Sequence, residues 1–249
     1  MSRARGTKHN NRRMQQHEYA QIENTIDFQQ AKKPQPRHIE LRPKTLGQEQ
    51  LVLSLTDPSV FVTVAVGPAG TGKSYLAMLA ALQALRTGRC QRVILTRPAV
   101  TVEDEQHGFL PGDLISKMEP WTRPLLDIMK EFYRPKEILE MLKDEVIEIS
   151  PLAFMRGRTF KNAWIVADEM QNATPSQIKM LLTRIGDNSR IVVTGDVEQT
   201  DRTVSNNGLI DLCQRLKRDQ VDGLSLCELT SRDVQRHHII TKVLKMYAN

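Results

Sequence analysis

From about Thr45 onward, short β-branched apolar runs alternate with longer stretches of helical spacing. That alternation predicts a mostly parallel sheet covered by helices on both faces, because parallel strands buried on both sides read as unbroken apolar runs. The run VFVTVAV at 60–66 has this pattern and meets a glycine-rich turn at once. Further strands are predicted at 92–96, 146–149, 163–167, 190–194 and 224–229, about six in all and near the usual sheet size. Residues 73–86 are apolar nearly all round and are followed by Gly88, which predicts a helix buried within the domain with that glycine just past its end. In TPSQIKMLLTRIG, Thr174 as N-cap, Pro175 at the first helical position and Gln177 at N3 form a capping box, and Gly186 is expected to close the helix. The stretch 98–145 is longer than a crossover needs. It opens with an acidic loop and then shows helical spacing at Leu125, Ile128, Met129 and Phe132 and again at Ile138, Met141 and Leu142, so it reads as a helical insertion. Ile239, Ile240, Val243, Leu244 and Tyr247 predict a terminal amphipathic helix.

Composition changes this picture mainly at the N-terminus. Residues 1–44 carry ten basic and four acidic side chains, so the whole formal charge of +6 sits there and the rest of the 249 residues is balanced. With few aliphatics and a cluster of Pro34, Pro36 and Pro43, this segment is read as a basic, disordered arm, and residues 45–249 as the folded domain. A basic arm suits phosphate backbones; it also suits solvation alone. No run approaches the ~18 apolar residues of a bilayer-spanning helix, and the basic start leads into no apolar segment, so neither a membrane protein nor a secretory leader is expected. Cys90, Cys213 and Cys227 are odd in number and lack CxxC spacing, which reads as reduced thiols of a cytoplasmic protein.

The sharpest chemical signal is Gly67, Pro68, Ala69, Gly70, Thr71, Gly72, Lys73 and Ser74, a complete G-x-x-x-x-G-K-[ST] between a strand and a helix. Small residues let backbone N–H groups converge on phosphate oxygens at a helix N-terminus, where the dipole also favours negative charge. Lys73 adds a point charge for the β and γ phosphates, and Ser74, followed by Tyr75 at the same site, offers a hydroxyl to Mg²⁺. A bare turn would explain the glycines but neither Lys73 nor Ser74. The strand AWIVA at 163–167 runs into Asp168 and Glu169, placed for the Mg²⁺ shell and for a water aimed at the γ-phosphate; a solvated strand end is the alternative. In VTGDVEQ, Gln199 would put an amide near the γ-phosphate while Asp196 orders the turn or metal-bound waters. Gln48, in TLGQEQ, carries a donor and an acceptor that match adenine N6 and N7, in a chain rich in glutamine. The absence of an [NT]-K-x-D guanine-reading sequence favours ATP over GTP. His237 and His238 are adjacent and lack metal-site spacing, and Trp121 and Trp164 read as core residues.

GPAGTGKSYLA, LTRPAV, GFLPGD, PLAFMRGRTF, DEMQN, MLLTRIG, VVTGDVEQTD and RDVQRH occur in this order across residues 67–238. Together they resemble the PhoH family of ATPases, whose core is similar to the RecA-like motor half of superfamily 1 helicases. The resemblance implies Mg-ATP hydrolysis, assembly into a ring, and a link to single-stranded RNA or DNA. It carries Lys73 and Ser74 to phosphates and metal, Asp168 and Glu169 to metal and water, Asp196 and Gln199 to sensing, and Gln48 to adenine. The acidic Glu103-Asp104-Glu105 before GFLPGD departs from the family pattern.

Hydrolysis of a γ-phosphate gains greatly from an arginine finger. Arg156, Arg158, Arg232 and Arg236 are the candidates, with Arg158 and Arg236 taken as catalytic; Arg97 could face phosphate or nucleic acid. A single RecA-like domain lacks a second lobe to close its site, which predicts that a neighbouring subunit does so. The expected protein is therefore an α/β P-loop ATPase with ATP and Mg²⁺ bound. It would be coupled to RNA or DNA as a helicase-like motor, or alternatively be a regulatory ring that switches partners without moving along a strand.

Overall fold

The computed structural model describes residues 38–98, 123–200, 206–236 and 246. The basic arm before residue 38, the acidic loop after 98, the two adjacent histidines and the terminal helix expected over 239–247, Met246 apart, lie outside them. The chain divides into two compact units, residues 40–100 with 149–249, and residues 1–39 with 101–148.

The larger unit is a three-layered α/β domain. Its helices are α1 (Leu46–Thr56), α2 (Lys73–Arg86), α4 (Pro175–Leu182) and α5 (Gly208–Arg218). Its strands are β1 (Val62–Val66), β2 (Arg92–Thr96), β4 (Ala163–Ala167), β5 (Arg190–Gly195) and β6 (Leu224–Glu228). With β3 (Ile147–Ile149), which straddles the boundary between the units, the sheet order is β3-β2-β4-β5-β1-β6. β1 pairs in parallel with β5 and β6, and β4 in parallel with β2 and β5. Every residue of β1 and of β4 is buried, which is why both strands read as continuous apolar runs.

The period of two along β1 assigns the faces. Val62, Val64 and Val66 join Ile165, Ile191 and Val193 in a core closed by Ile178 and Leu181 of α4 and Leu209 and Leu212 of α5. Thr63 points the other way and shares a 2.9 Å hydroxyl hydrogen bond with Ser54 of α1. On that second face α2 packs against the sheet centre and is buried on nearly all sides, through Leu76, Met78, Leu79 and Leu82 and the small Ala77, Ala80, Ala81 and Ala84 that permit close approach.

Helix ends follow local chemistry. The Thr174–Gln177 capping box forms as read, Gln177 N bonding to Thr174 Oγ1 and Thr174 N to Gln177 Oε1. This helix stops at Leu182 rather than at Gly186. Ile185 leaves to form a parallel bridge with Phe160, and Gly186 N bonds to Phe160 O at 2.8 Å, so backbone pairing wins over a last helical turn. α1 is an element the apolar pattern does not reveal. Thr45 caps it by accepting from Gln48 N, and at its other end Arg190 Nη1 donates to Leu55 O at 3.1 Å.

In the smaller unit, residues 123–130 are helical and bury Leu125, Leu126 and Met129. α3 (Pro135–Lys143) follows, with Glu137 Oε2 accepting from Arg134 N at 2.6 Å and Ile138 and Leu142 buried. These are the two apolar stripes read from the spacing.

Candidate functional site

The sheet order makes β4, β5 and β1 neighbours, so their carboxyl ends bring residues 67–75, 168–169 and 195–199 to one place although the sequence scatters them. Residues from each stretch line a cavity of about 290 Å³ wholly within the larger unit. The loop after β1 turns through positive φ at Gly67, Gly70 and Gly72 and enters α2 at Lys73. At Gly70 the φ of +85° disfavours any side chain, and a Cβ there would sit 2.4 Å from Arg236 Nε and displace that arginine.

Lys73 is buried, and its ammonium lies back on its own loop, donating to Gly67 O at 2.6 Å, Pro68 O at 2.8 Å and Thr71 Oγ1 at 3.3 Å. Burial lowers its pKa below the usual lysine value, opposed by the nearby carboxylates of Asp196, Asp168 and Glu169 and reinforced by Arg236. Ser74 Oγ donates to Asp168 Oδ1 at 2.6 Å, and Thr194 Oγ1 donates to the same oxygen. A hydroxyl and a carboxylate are thereby held side by side, a pair of hard oxygen donors of the kind Mg²⁺ takes while keeping its waters. Among the described residues no cluster of three or more His, Cys, Asp or Glu could hold a metal by itself.

Glu169 stands at φ +54°, a left-handed backbone that swings it off the strand and into the cavity. Its Oε2 accepts from Gln171 Nε2, while Gln171 Oε1 accepts from Asp196 N at 3.2 Å. Gln171 is only 2% exposed, and its backbone carbonyl accepts from Thr200 Oγ1 and from Asn207 Nδ2. Gly195 makes room for it: a Cβ there would stand 2.9 Å from Gln171 Oε1 and 2.5 Å from Leu209 Cδ2. Sequence reading missed Gln171, whose only signal is an amide two residues beyond the acid pair.

Asp196 orders its turn, accepting from Glu198 N at 3.0 Å, and also grips the phosphate loop, accepting from Ala69 N at 3.0 Å. Gln199 lines the cavity and donates its backbone N–H to Asp196 O. Tyr75 lines the cavity as well. Gln48 is buried beneath the loop, with Nε2 donating to Thr71 O at 2.9 Å and Oε1 accepting from Lys44 N at 2.8 Å. Its amide thus already supports the loop.

The arginine candidates separate cleanly. Arg236 lines the cavity of its own chain and is anchored there by Gln235 N donating to Gly70 O at 2.9 Å. This anchor follows the turn at Ser231–Asp233, where buried Asp233 accepts from Gly47 N, Thr230 N and Thr230 Oγ1 and so ties the segment to the start of α1. Arg158 lies elsewhere: its guanidinium is 4.5 Å from the ring centre of Phe160, beside Arg92 at the amino end of β2. In a parallel sheet that is the end opposite the phosphate loop. Arg156 and Arg232 are exposed, and neither they nor Arg97 line the cavity. Trp164 is buried, as are all three cysteines, which are unpaired. No helix among the described residues is long and apolar enough to cross a membrane.

Comparison with known proteins extends this picture. The chain is 44% identical over 207 residues to a PhoH-like protein of Synechocystis, covering 83% of this chain and 62% of that one. It is 42% identical over 208 residues to a PhoH-like protein of Bacillus subtilis, with 83% and 64% covered. It is 38% identical over 188 residues to Protein PhoH of Escherichia coli K12, with 74% and 52% covered. It therefore spans between half and two thirds of these relatives' length. Among solved structures, the DNA-bound DUF1998 helicase MrfA aligns over 79% of this chain and 32% of its own, at 14% identity and a TM-score of 0.40. The sequence profile described as PhoH-like protein matches residues 40–248, and the chain belongs to that family.

Proposed function

We propose that this protein hydrolyses ATP with Mg²⁺ and couples turnover to single-stranded RNA or DNA, as a helicase-like motor in the cytoplasm. The observation that carries the reading is the convergence of Lys73, Ser74, Asp168 and Glu169 on one cavity behind a glycine-rich loop at a helix N-terminus. Loop N–H groups and the Lys73 ammonium would hold the triphosphate, Lys73 exchanging its carbonyl partners for phosphate oxygens. Magnesium, which Ser74 Oγ and Asp168 would hold, supplies charge neutralisation at the phosphate oxygens when bound. Glu169, fixed by Gln171, accepts a hydrogen bond from the attacking water and aims it in line with the γ-phosphate. Arg236 offers positive charge from the same chain, and Gln199 an amide beside the γ position. Gln48 would meet adenine only with the lone pair and N–H its two protein bonds leave over. Arg158, at the far end of the sheet, could act as a finger only on a neighbour's site, in a head-to-tail ring.

The test is ATP turnover with and without single-stranded RNA and DNA, on the full chain and on a form beginning at Thr45. Glu169→Gln should keep ATP binding and lose turnover, whereas Lys73→Ala should weaken both. Wild-type turnover by Glu169→Gln would remove the assigned role. Turnover indifferent to either strand would favour the partner-switching ring over the motor.

A further inference from the structure

A second cavity, of about 230 Å³, opens at the amino ends of β1, β4 and β5. Gly67 lies six residue steps of extended chain beyond Phe61, so the cavity is on the order of 20 Å from the phosphate loop. Its walls include Phe61, Trp164, Arg89 and Arg190. Phe61 is 54% exposed, its ring held against Gly223, where a Cβ would stand 2.7 Å from the ring. Trp164 is 4% exposed, and its indole N–H finds no hydrogen-bond partner among the described residues. The Arg190 guanidinium stacks 5.5 Å from the indole ring centre.

The hydrogen bonds of the two arginines reach no charged partner. Arg190 bonds to Leu55 O, and Arg89 to Thr87 Oγ1 and Gln83 Oε1, all uncharged acceptors. Neither forms an ion pair with a carboxylate among the described residues. Asp57 acts on Arg190 through its charge, raising the arginine's pKa, but its carboxylate is engaged by the N–H and hydroxyl of Ser59 at 2.8 and 2.7 Å. Burial, and then the charge of Arg89, lower the Arg190 pKa, so the two cations feel one another across the cavity. No acid lines the cavity, and two guanidinium groups facing one space are stabilised by a bound anion whose oxygens their forked donors match, as phosphate's do. Cys90, in the same wall, has its thiol pushed up to about 11 by burial and is a neutral surface, not a nucleophile.

We propose that this cavity binds one nucleotide unit, its phosphate held by Arg89 and Arg190 and its base stacked on the exposed ring of Phe61. At about 230 Å³, below the roughly 300 Å³ at which common ligand pockets begin, the cavity has room for no more than one such unit, and aromatic–base stacking with cationic contacts is how proteins hold unpaired nucleotides. The unit can come free in solution or from within a single strand. This site is independent of ATP hydrolysis and stands or falls without it.

Trp164 provides its own reporter once Trp121→Phe removes the chain's other indole. The full chain with that change, and with Lys73→Ala to silence the phosphate loop, is titrated with uridine monophosphate and with a five-residue oligouridylate while Trp164 emission is followed. Saturable change with both probes assigns a free nucleotide site, and change with the oligomer alone assigns a strand. In either case Arg89→Glu, at an exposed position, should weaken binding about tenfold or more, and Phe61→Ser should weaken it too. The proposal is overturned if neither probe alters Trp164 emission at millimolar concentration, if Arg89→Glu binds as well as its parent, or if restoring Lys73 is needed to see binding.

Discussion

Replacing Gln171 by methionine would keep its volume and remove both of its side-chain hydrogen bonds. Asp196 N–H, buried where it meets Gln171 Oε1, would lose its acceptor, a loss of about 1–3 kcal/mol. Glu169 Oε2 faces the cavity, where water can replace the lost donor, so little stability is forfeited there. At about 2 kcal/mol in total, and ~2–4 °C per kcal/mol for a chain of this size, the melting temperature should fall by about 4–8 °C. The effect on catalysis is of another kind. A carboxylate free to swing by an ångström misplaces the attacking water, and displacements of that size cost on the order of a hundredfold in rate. The expected result is kcat down about a hundredfold with the KM for ATP unchanged, since no phosphate contact is touched. The assay is steady-state release of phosphate alongside thermal unfolding of the same preparation. A variant that melts lower yet turns over at the wild-type rate would show that the Gln171 hydrogen bonds serve stability alone, and the link from Gln171 to Glu169 would be refuted.

Mixing variants tests which arginine acts from which subunit. Arg158→Ala mixed with Glu169→Gln should recover activity, because an intact Arg158 then faces an intact Glu169 across some interfaces; Arg236→Ala mixed with Glu169→Gln should not, since both lesions fall in the cavity of their own chain. The Asp233 carboxyl is raised by desolvation but lowered more by the hydrogen bonds of Thr45, Thr230 and Gly47, so its net pKa lies below 3.8. A depressed carboxylate stabilises the fold fully above the unfolded value and loses that contribution as pH falls through the folded one. Urea unfolding should therefore find Asp233→Asn less stable by ~1 kcal/mol at pH 7, with the gap closing below about pH 3.8; a gap that persisted in acid would point to packing instead.

Much of this architecture was legible because parallel strands buried on both faces carry few polar residues to blur them. The strands at Arg92–Thr96 and Ala163–Ala167 match their apolar runs residue for residue, and β1 begins at Val62, two residues late, because Val60 still belongs to the turn on Asp57. The glycine-rich loop announces itself by local sequence, as a tight strand-to-helix turn must. What sequence could not supply is pairing at a distance. The end of α4 is set by Phe160, α1 is held by Arg190 and Asp233, and the Glu169 carboxylate is steered by an amide that means nothing until Gly195 lies against it. The division between Arg158 and Arg236 is likewise a matter of which end of the sheet each reaches, and no spacing encodes that.

The place of β1 in the sheet also governs when the protein can first become competent. Its two neighbours, β5 and β6, come from the last third of the chain, more than one hundred residues after the loop that β1 supports. During synthesis β2 can pair with β3 and β4 once about two thirds of the chain is made, but β1 must still wait on the ribosome with both edges bare. Contacts this far apart make for slow assembly and leave an apolar edge open to wrong partners until the chain is nearly finished. A nascent chain halted before Arg190 should therefore capture no nucleotide at all, and competence should arrive in one late step.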